Sequence, residues 1–356
     1  MLKQNDKEYK KYIYKKIGII VILFVIMISM AVFSVTKGSF NIEPLDVFKA
    51  LFGKASQQIN MIVLYVRLPR VAMAIVSGIG LALSGCVMQS VLKNPLASAS
   101  TLGISQGAAF GAAFAIVCLG AGQSTAQIST QSSLTITNPY MTTVSAFLCS
   151  MLTVLIIIGL SKSRDNSPSS MVLAGVALSA MFAGGTALMQ YFGTDTQIAS
   201  IVFWTFGDLG RVTWKEIGIV SIVVLITSVY LLMNSWNYNA ISEGAHTAKG
   251  LGVNVEAVRL LGMAVSSLSV ATIVSFVGII NFIGLIAPHA VAALIGRDNK
   301  YLMPASALMG AILLLLSDGI ARMVLSPVIL PIGAITSFMG APLFLYILRK
   351  GGSKGD

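Results

Sequence analysis

Residues that could carry acid–base, nucleophilic or metal chemistry are few and scattered in this sequence. The two histidines, His246 and His289, stand 43 residues apart, and a tight metal site needs more ligands than they supply. The three cysteines, Cys86, Cys118 and Cys149, are widely spaced and include no CxxC pair, which argues against a zinc site or a disulfide framework. We therefore predict no catalytic residue, no metal site and no cofactor bound by this chain.

The sequence also lacks the motif that usually binds the phosphates of ATP. The phosphate-binding loop GxxxxGK[ST] does not occur, because Gly53-Lys54 is followed by Ala55 and no glycine stands at the required upstream position. The sequence therefore predicts that this chain does not hydrolyse ATP itself.

Asp318 and Arg322 are the clearest ionisable residues inside an apolar segment. Their i,i+4 spacing lets them pair on one helix, which lowers the cost of placing charge in a membrane. A second hypothesis gives Arg322 a role in docking a partner.

A proton- or sodium-coupled carrier would place acidic residues near the membrane midplane, where Asp318 is the single candidate. An ATP-independent carrier is therefore the weaker alternative, and a membrane enzyme is weaker still because no convergent set of His, Asp and Cys exists.

The composition indicates which elements must position these residues. Of 356 residues, 56% are hydrophobic and 10% are charged, against about 25% charged in an average soluble domain. This excludes a disordered chain and an ordinary soluble enzyme. The net charge of +11 would suggest a nucleic-acid partner on a soluble protein, but here the composition fits a protein whose solvent is lipid.

Apolar stretches long enough to cross a hydrocarbon core of about 30 Å need about 20 residues each. The hydropathy pattern predicts an all-α polytopic membrane protein with ten transmembrane helices. The predicted spans are 17–36, 69–91, 97–120, 139–161, 170–192, 214–233, 255–277, 280–296, 302–325 and 333–349.

Charge placement predicts the orientation and the domain limits. With the N-terminus inside, sixteen of the 24 Lys and Arg residues fall in inside segments and seven in outside segments, as the positive-inside rule requires. Both termini are then cytoplasmic. We predict a cytoplasmic tail over 1–16, one transmembrane domain over 17–350 and a C-terminal tail over 351–356.

Two local patterns predict further structure. Gly103-x3-Gly107-x3-Gly111 is a small-xxx-small ladder, which lets membrane helices approach closely. The polar loop 234–254 is long for an inside connection, and its middle, Ile241–Gly250, is expected to form one or two helical turns. This loop is either a solvated connector or a short cytoplasmic helix that docks on a partner.

Short motifs follow one another along the chain after the first span. They include Arg67-Leu68-Pro69-Arg70, Asn94-Pro95-Leu96-Ala97, Leu102-Gly103-Ile104-Ser105, Phe282-Ile283-Gly284 with Ala287-Pro288-His289, Ser317-Asp318-x3-Arg322 and Gly340-Ala341-Pro342. Each is weak alone. Together and in this order they resemble the FecCD-type permeases of ABC importers for iron-siderophores, haem and cobalamin.

The resemblance implies a type II ABC importer permease fold in the plasma membrane of a bacterium. Such a chain pairs with a second permease subunit, identical or paralogous, and the transport pathway lies between the two. A pair of separate cytoplasmic ATPases binds ATP and magnesium, and an extracytoplasmic binding protein delivers the substrate. Iron(III)-siderophore chelates are the predicted substrate, and haem and cobalamin are the alternatives.

The resemblance also implies roles for individual residues. Outer-face arginines that pair with acidic residues of the binding protein correspond to Arg67, Arg70 and Arg322. The coupling segment, residues 240–252, would seat on the ATPase through Glu243, Gly244, Ala245, His246, Ala248, Leu251 and Gly252. The cytoplasmic gate corresponds to Ser167, Pro168 and Ser169. Positions expected in the pathway or in helix packing are Asn94, Pro95, Gly103, Ser105, Gly107, Asn281, Pro288 and His289.

The sequence departs from the family pattern at a few of these positions. Ala245 and His246 stand where the family usually has two acidic residues. Pro168 lies within the gate, and Asn281 replaces a common glycine. These departures concern the contacts with the ATPase, the gate and the substrate specificity.

Overall fold

The computed structural model describes residues 2–37, 42–121, 139–163, 168–326 and 328–352. All regular structure in these residues is helical, which confirms the all-α fold class. A π-helical turn at Ile62–Arg67 joins α3 to α4, and a 3-10 turn at Leu209–Arg211 precedes α9. The helices are α1 (Leu2–Thr36), α2 (Pro44–Leu51), α3 (Gln57–Met61), α4 (Leu68–Val91), α5 (Ile104–Val117), α6 (Pro139–Ser163), α7 (Pro168–Phe192), α8 (Asp195–Thr205), α9 (Trp214–Met233), α10 (Ser235–Glu243), α11 (Ala245–Gly250), α12 (Val255–Val277), α13 (Ile283–Ile295), α14 (Asn299–Met323) and α15 (Ile332–Gly352).

Apolar helices occur at each of the predicted spans. In the described residues, seven helical stretches are long and apolar enough to cross a membrane; they contain α1, α4, α6, α7, α9, α12 and α14. Three shorter apolar stretches, α5, α13 and the first half of α15, correspond to the remaining predicted spans. Length and composition alone do not make these three into crossings, so the number ten stays a prediction.

Several helix boundaries differ from the sequence prediction, and α5 begins at Ile104 rather than at residue 97. α1 begins at Leu2, so the predicted tail continues the first span as one helix. The second span is longer than predicted, because a continuous helical rod runs from Gln57 through the π-helical turn to Val91. Pro69 lies in the first turn of α4, where a missing N–H is tolerated, and therefore does not end the rod.

α4 lies at the centre of the bundle, in contact with α9, α12, α13 and α14. The apolar window of its rod is 78% buried, against 67% for α12 and 61% for α14. Glycines permit this packing. A Cβ on Gly78 would overlap the backbone of Gly310 in α14, and a Cβ on Gly85 would overlap the carbonyl of Gly284 in α13. In lipid the hydrophobic effect does not drive helices together, so the van der Waals contacts that this close backbone approach permits stabilise the packing.

Two members of the glycine ladder, Gly107 and Gly111, pack α5 against α6, whereas Gly103, the residue before α5, faces Gly175 and Ser179 of α7. A Cβ on Gly107 would lie 3.0 Å from the Cys149 carbonyl, and a Cβ on Gly111 would overlap the Ser145 carbonyl. The Ser145 hydroxyl donates to the Gly111 carbonyl at 2.7 Å across the same contact. The ladder therefore has the packing role that its spacing indicates.

α5 and α13 are short because each follows an irregular segment within the bundle. Gly103, with φ 77°, precedes α5, and Phe282, with φ 66°, precedes α13. The left-handed conformation is uncommon for a residue with a side chain, so the backbone at Phe282 is strained. The Ser100 hydroxyl donates to Asn281 Oδ1 at 3.4 Å and links the two irregular segments.

α1 and α7 lie at the periphery, each with 17% of its apolar window buried. α7 exposes Leu173 and Tyr191 together with a row of small residues, Ala177, Ala180 and Gly184. An apolar face of this length requires lipid or another subunit beside it.

Candidate functional site

Charged side chains concentrate at the two ends of the bundle. Asp318 lies at the end where α1 terminates. At the opposite end Lys16 Nζ is 3.8 Å from Asp298 Oδ2 and lies over the Tyr301 ring at 4.9 Å. The charge-based orientation predicts that the first end is extracytoplasmic and the second end cytoplasmic.

Asp318 is the centre of an arginine cluster, which comprises Arg67, Arg70, Arg322, Asp318 and Asp208. The Asp318 carboxylate is fully buried, and Arg70 Nε donates to its Oδ1 at 2.6 Å. Arg322 Nε lies 2.9 Å from Oδ2, an ion pair whose angle falls outside hydrogen-bond geometry. Asp208 Oδ1 is 3.5 Å from Arg70 Nη1. The predicted Asp318–Arg322 pair is confirmed, and Arg70 is a third member that sequence spacing could not reveal.

Two arginines of the cluster bind the C-terminal end of α1. Arg67 Nη1 donates to the Val35 carbonyl at 2.7 Å and to the Thr36 carbonyl at 3.0 Å. Arg322 Nη1 donates at 3.1 Å to the carbonyls of Ser34 and Lys37, and its Nη2 also bonds the Ser34 hydroxyl. The last carbonyls of a helix lack partners within the helix and carry partial negative charge, so guanidinium groups stabilise them.

The three arginines predicted to dock a binding protein are therefore engaged within the chain. Their relative exposures are 6% for Arg67, 7% for Arg70 and 8% for Arg322. The docking role stays a prediction. In this conformation a partner that approached the cluster would first meet Asp208 and Arg211, which are the more exposed residues at its rim.

The coupling segment forms helical structure, as its sequence predicts. α10 and α11 meet at Gly244, with φ 136°, and α11 ends before Gly252, with φ 80°. Ala248 is fully buried against Ile241 and Val255, so it holds α11 in place rather than facing a partner. Of the predicted coupling residues, Glu243, His246, Leu251 and Gly252 are exposed and remain available to a partner, and Gly244 and Ala245 are half-buried.

A hydrogen-bond bridge connects α10 to the bundle. Asn239 Nδ2 donates to Asp298 Oδ1 at 2.8 Å, and the Asn299 backbone N–H donates to Asn239 Oδ1 at 2.8 Å. Because Asp298 also pairs with Lys16, one asparagine connects α10 to both α14 and α1. Sequence reasoning missed Asn239, because nothing in its local pattern distinguishes it from the asparagines nearby.

The predicted gate lies at the start of α7. Ser167 falls outside the described residues. Pro168 and Ser169 line a cavity of about 400 Å³ together with Lys93 and Asn94. The structure thus brings the described gate residues beside the predicted pathway residue Asn94.

The remaining predicted pathway positions serve local packing in this structure. Asn94 Oδ1 accepts the Leu96 backbone N–H at 2.9 Å in the turn that includes Pro95, and Ser105 is buried in the first turn of α5. His289 Nδ1 lies 3.0 Å from the Leu285 carbonyl, and Pro288 is buried beside it in α13. In the described part of the chain no group of three or more His, Cys, Asp or Glu side chains is placed to hold a metal ion.

A bundle of apolar helices with charged groups at its ends is the architecture of a multi-span membrane protein. The chain belongs to the FecCD transport family, which matches residues 22–350. It is therefore a multi-pass plasma-membrane protein, an ABC importer permease of the metal-chelate type.

Individual relatives cover nearly the whole chain. A candidate ABC transporter permease of Methanocaldococcus jannaschii, MJ0087, is 47% identical over 97% of each protein. The hemin transport system permease HmuU of Yersinia pestis is 33% identical over 92% of this chain and 94% of its own length. The Fe(3+)-citrate import permease YfmE of Bacillus subtilis is 35% identical over 93% and 94%. A solved structure described as an inward-facing conformation of a candidate metal-chelate type ABC transporter superposes with a TM-score of 0.81 at 30% identity, over 94% of this chain and 99% of that one.

Proposed function

We propose that this chain is the permease subunit of an ATP-driven importer that takes up iron(III)-siderophore chelates from an extracytoplasmic binding protein. The observation that carries the proposal is the family match over residues 22–350. Relatives named for hemin and Fe(3+)-citrate support a large iron chelate as the substrate class. Import of haem or cobalamin by the same architecture is the alternative.

The buried charges support an energy source outside this chain. In the described part, Asp318 is the one buried carboxylate, and it is neutralised by Arg70 and Arg322. An ion-coupled carrier needs a buried acid that is free to exchange its cation, and this carboxylate is not free. We therefore propose that ATP and magnesium bind to a pair of cytoplasmic ATPase partners.

The proposed topology has ten crossings with both termini in the cytoplasm. A second copy or a paralogue packs beside this chain, and the exposed face of α7 and the cavity at Pro168 and Ser169 support a pathway and an inner gate at that boundary. The binding protein docks at the outer end, where the arginine cluster lies.

The coupling segment transmits the ATPase motion in this proposal. The ATPase contacts the exposed side chains of Glu243, His246 and Leu251, and the Asn239 bridge carries a displacement of α10 to α14 and α1. The permease supplies no covalent chemistry. Transport is a shift between outward-open and inward-open populations, driven by partners that bind the two states with different affinity.

The experiment that tests this proposal is uptake into proteoliposomes that contain the permease with its ATPase and binding protein. The binding protein is loaded in turn with a ferric hydroxamate siderophore, haemin and cyanocobalamin. The proposal predicts ATP-dependent uptake that is largest for the siderophore. Larger uptake of haemin or cobalamin would assign the alternative substrate, and uptake without the ATPase would overturn the ATP-driven mechanism.

A further inference from the structure

A second cavity opens at the predicted cytoplasmic end of the bundle, between α4, α13, the start of α14 and the coupling segment. Its volume is about 250 Å³, far above the roughly 10–15 Å³ that one water molecule needs. Its polar lining consists of Gln89, Ser90, Lys93, Ser242, His289 and Arg297. We call it the basic cavity, because no Asp or Glu is among the residues that line it.

Lys93 and Arg297 bring two positive charges to this cavity. Across the described residues, neither side chain has a carboxylate partner or a hydrogen bond. The buried cations Lys16 and Arg70, by contrast, pair with Asp298 and Asp318, whereas Lys93 and Arg297 are exposed at the mouth of the cavity. Two unpaired cations that face one cavity without a counter-ion make it a site of positive potential.

The backbone at Lys93 adds a second, independent observation. Lys93 directly follows the C-cap of α4 with φ 48°, in the left-handed region that a residue with a Cβ rarely adopts. Glycine or asparagine usually occupies this position after a helix. A lysine here costs backbone energy relative to glycine, and such an outlier motivates a hypothesis of function for the side chain.

The donors that face the cavity suit the phosphate group in particular. The planar guanidinium of Arg297 can bind two phosphate oxygens at once, and the Lys93 ammonium adds a compact charge. His289 Nδ1 lies 3.0 Å from the Leu285 carbonyl and donates to it, which makes Nε2 of the neutral ring an acceptor, so the donors for a phosphate are Lys93 and Arg297. Basic pockets between membrane helices on the cytoplasmic side commonly bind lipid headgroups.

We propose that the basic cavity binds the phosphate group of an anionic ligand. The source is an anionic lipid of the inner leaflet or a soluble phosphate compound, since both present the same group. Ser242 belongs to the coupling segment and lines the cavity, so an occupant would lie against the element that is proposed to contact the ATPase. The basic cavity shares Lys93 with the gate cavity, and the proposal does not depend on which chelate is imported.

The test uses the full chain in nanodiscs of phosphatidylcholine. Native mass spectrometry measures retention of added phosphatidylglycerol, and calorimetry measures binding of inorganic phosphate. We expect Lys93→Gln and Arg297→Gln each to weaken binding about tenfold, because each removes a charge-assisted hydrogen bond. Lys249→Gln is the matched control, since this exposed lysine of α11 does not line the cavity. This variant should bind phosphatidylglycerol and phosphate as the wild type does.

Lys93→Gly guards against loss of folding, because glycine suits the left-handed backbone while removing the charge. It should keep or raise the melting temperature and still lose binding. Retention of phosphatidylglycerol alone would identify a lipid site, and competition by phosphate would identify a soluble ligand. If the wild type retains neither, or if Lys249→Gln weakens binding equally, the proposal is wrong and the two cations serve only to neutralise the carbonyl ends of α4 and α13.

Discussion

Replacement of Asp318 by asparagine keeps the shape of the side chain and removes its charge. Arg70 and Arg322 would then be left buried without their shared carboxylate. Removal of one partner from a buried ion pair costs about 3–5 kcal/mol, because the remaining charge is not compensated. We expect Asp318→Asn to lower the free energy of unfolding by that amount.

Asp208→Asn is the matched control for this substitution. Asp208 also faces Arg70, but its side chain is 44% exposed and its oxygen lies 3.5 Å from Arg70 Nη1. An exposed pair of this kind contributes about 0–1 kcal/mol because water screens it. The two isosteric substitutions on carboxylates of one cluster should therefore differ by at least about 2 kcal/mol.

The assay is reversible unfolding of the purified permease in mixed detergent and SDS micelles, followed by far-UV circular dichroism. A double-mutant cycle then measures the interaction free energy between the Arg70 and Asp318 side chains. Arg70→Met and Asp318→Asn should couple by about 1.5 kcal/mol or more, whereas distant sites without shared partners should add within about 0.5 kcal/mol. Equal effects of Asp318→Asn and Asp208→Asn, or a coupling near zero, would refute the buried cluster as the origin of stability at this end.

Three further predictions follow from other contacts. Arg67→Lys keeps the positive charge and Arg67→Gln removes it, while both lose guanidinium bonds to the end of α1. If Arg67 docks the binding protein, a pull-down titration should show a several-fold larger loss of affinity for the Gln variant than for the Lys variant. Equal affinities would assign Arg67 to folding alone. Asn239→Ala should lower the number of substrate molecules transported per ATP hydrolysed, without loss of ATPase binding. The control Asn237→Ala removes a hydrogen bond to Asn234 and should leave that number unchanged. An unchanged number for Asn239→Ala would show that the bridge carries no motion. Gly85→Ala should destabilise the fold by about 1–3 kcal/mol, because the added Cβ would overlap α13. The control Gly319→Ala places its Cβ in open space and should be neutral or stabilising. The same unfolding assay measures both variants, and a tolerated Gly85→Ala would contradict the packing of α4 on α13.

The sequence was sufficient for features that depend on local pattern. Apolar length predicted the seven stretches of the described residues that are long enough to cross a membrane, and the i,i+4 spacing of Asp318 and Arg322 predicted their pair. The glycine ladder on α5 was recognisable for the same reason, since the spacing of small residues determines which helix face can be approached.

Features that depend on distant contacts were beyond the sequence. Arg70 is 248 residues from Asp318, and only the packing of α4 on α14 brings them together. The same limit applies to the burial of Ala248, which follows from the way α10, α11 and the start of α12 pack together. The docking assignment for the arginines came from the resemblance, and the structure adds the intrachain bonds that any docking role must coexist with.

ATP dependence is the central claim, and one measurement tests it most directly. Proteoliposomes carrying the permease, with and without its ATPase, receive binding protein loaded with radioiron-labelled siderophore, in the presence of ATP or of an imposed proton or sodium gradient. The account predicts uptake only when both ATPase and ATP are present, with no response to either gradient. Uptake that persists without the ATPase, driven by an ion gradient, would contradict it.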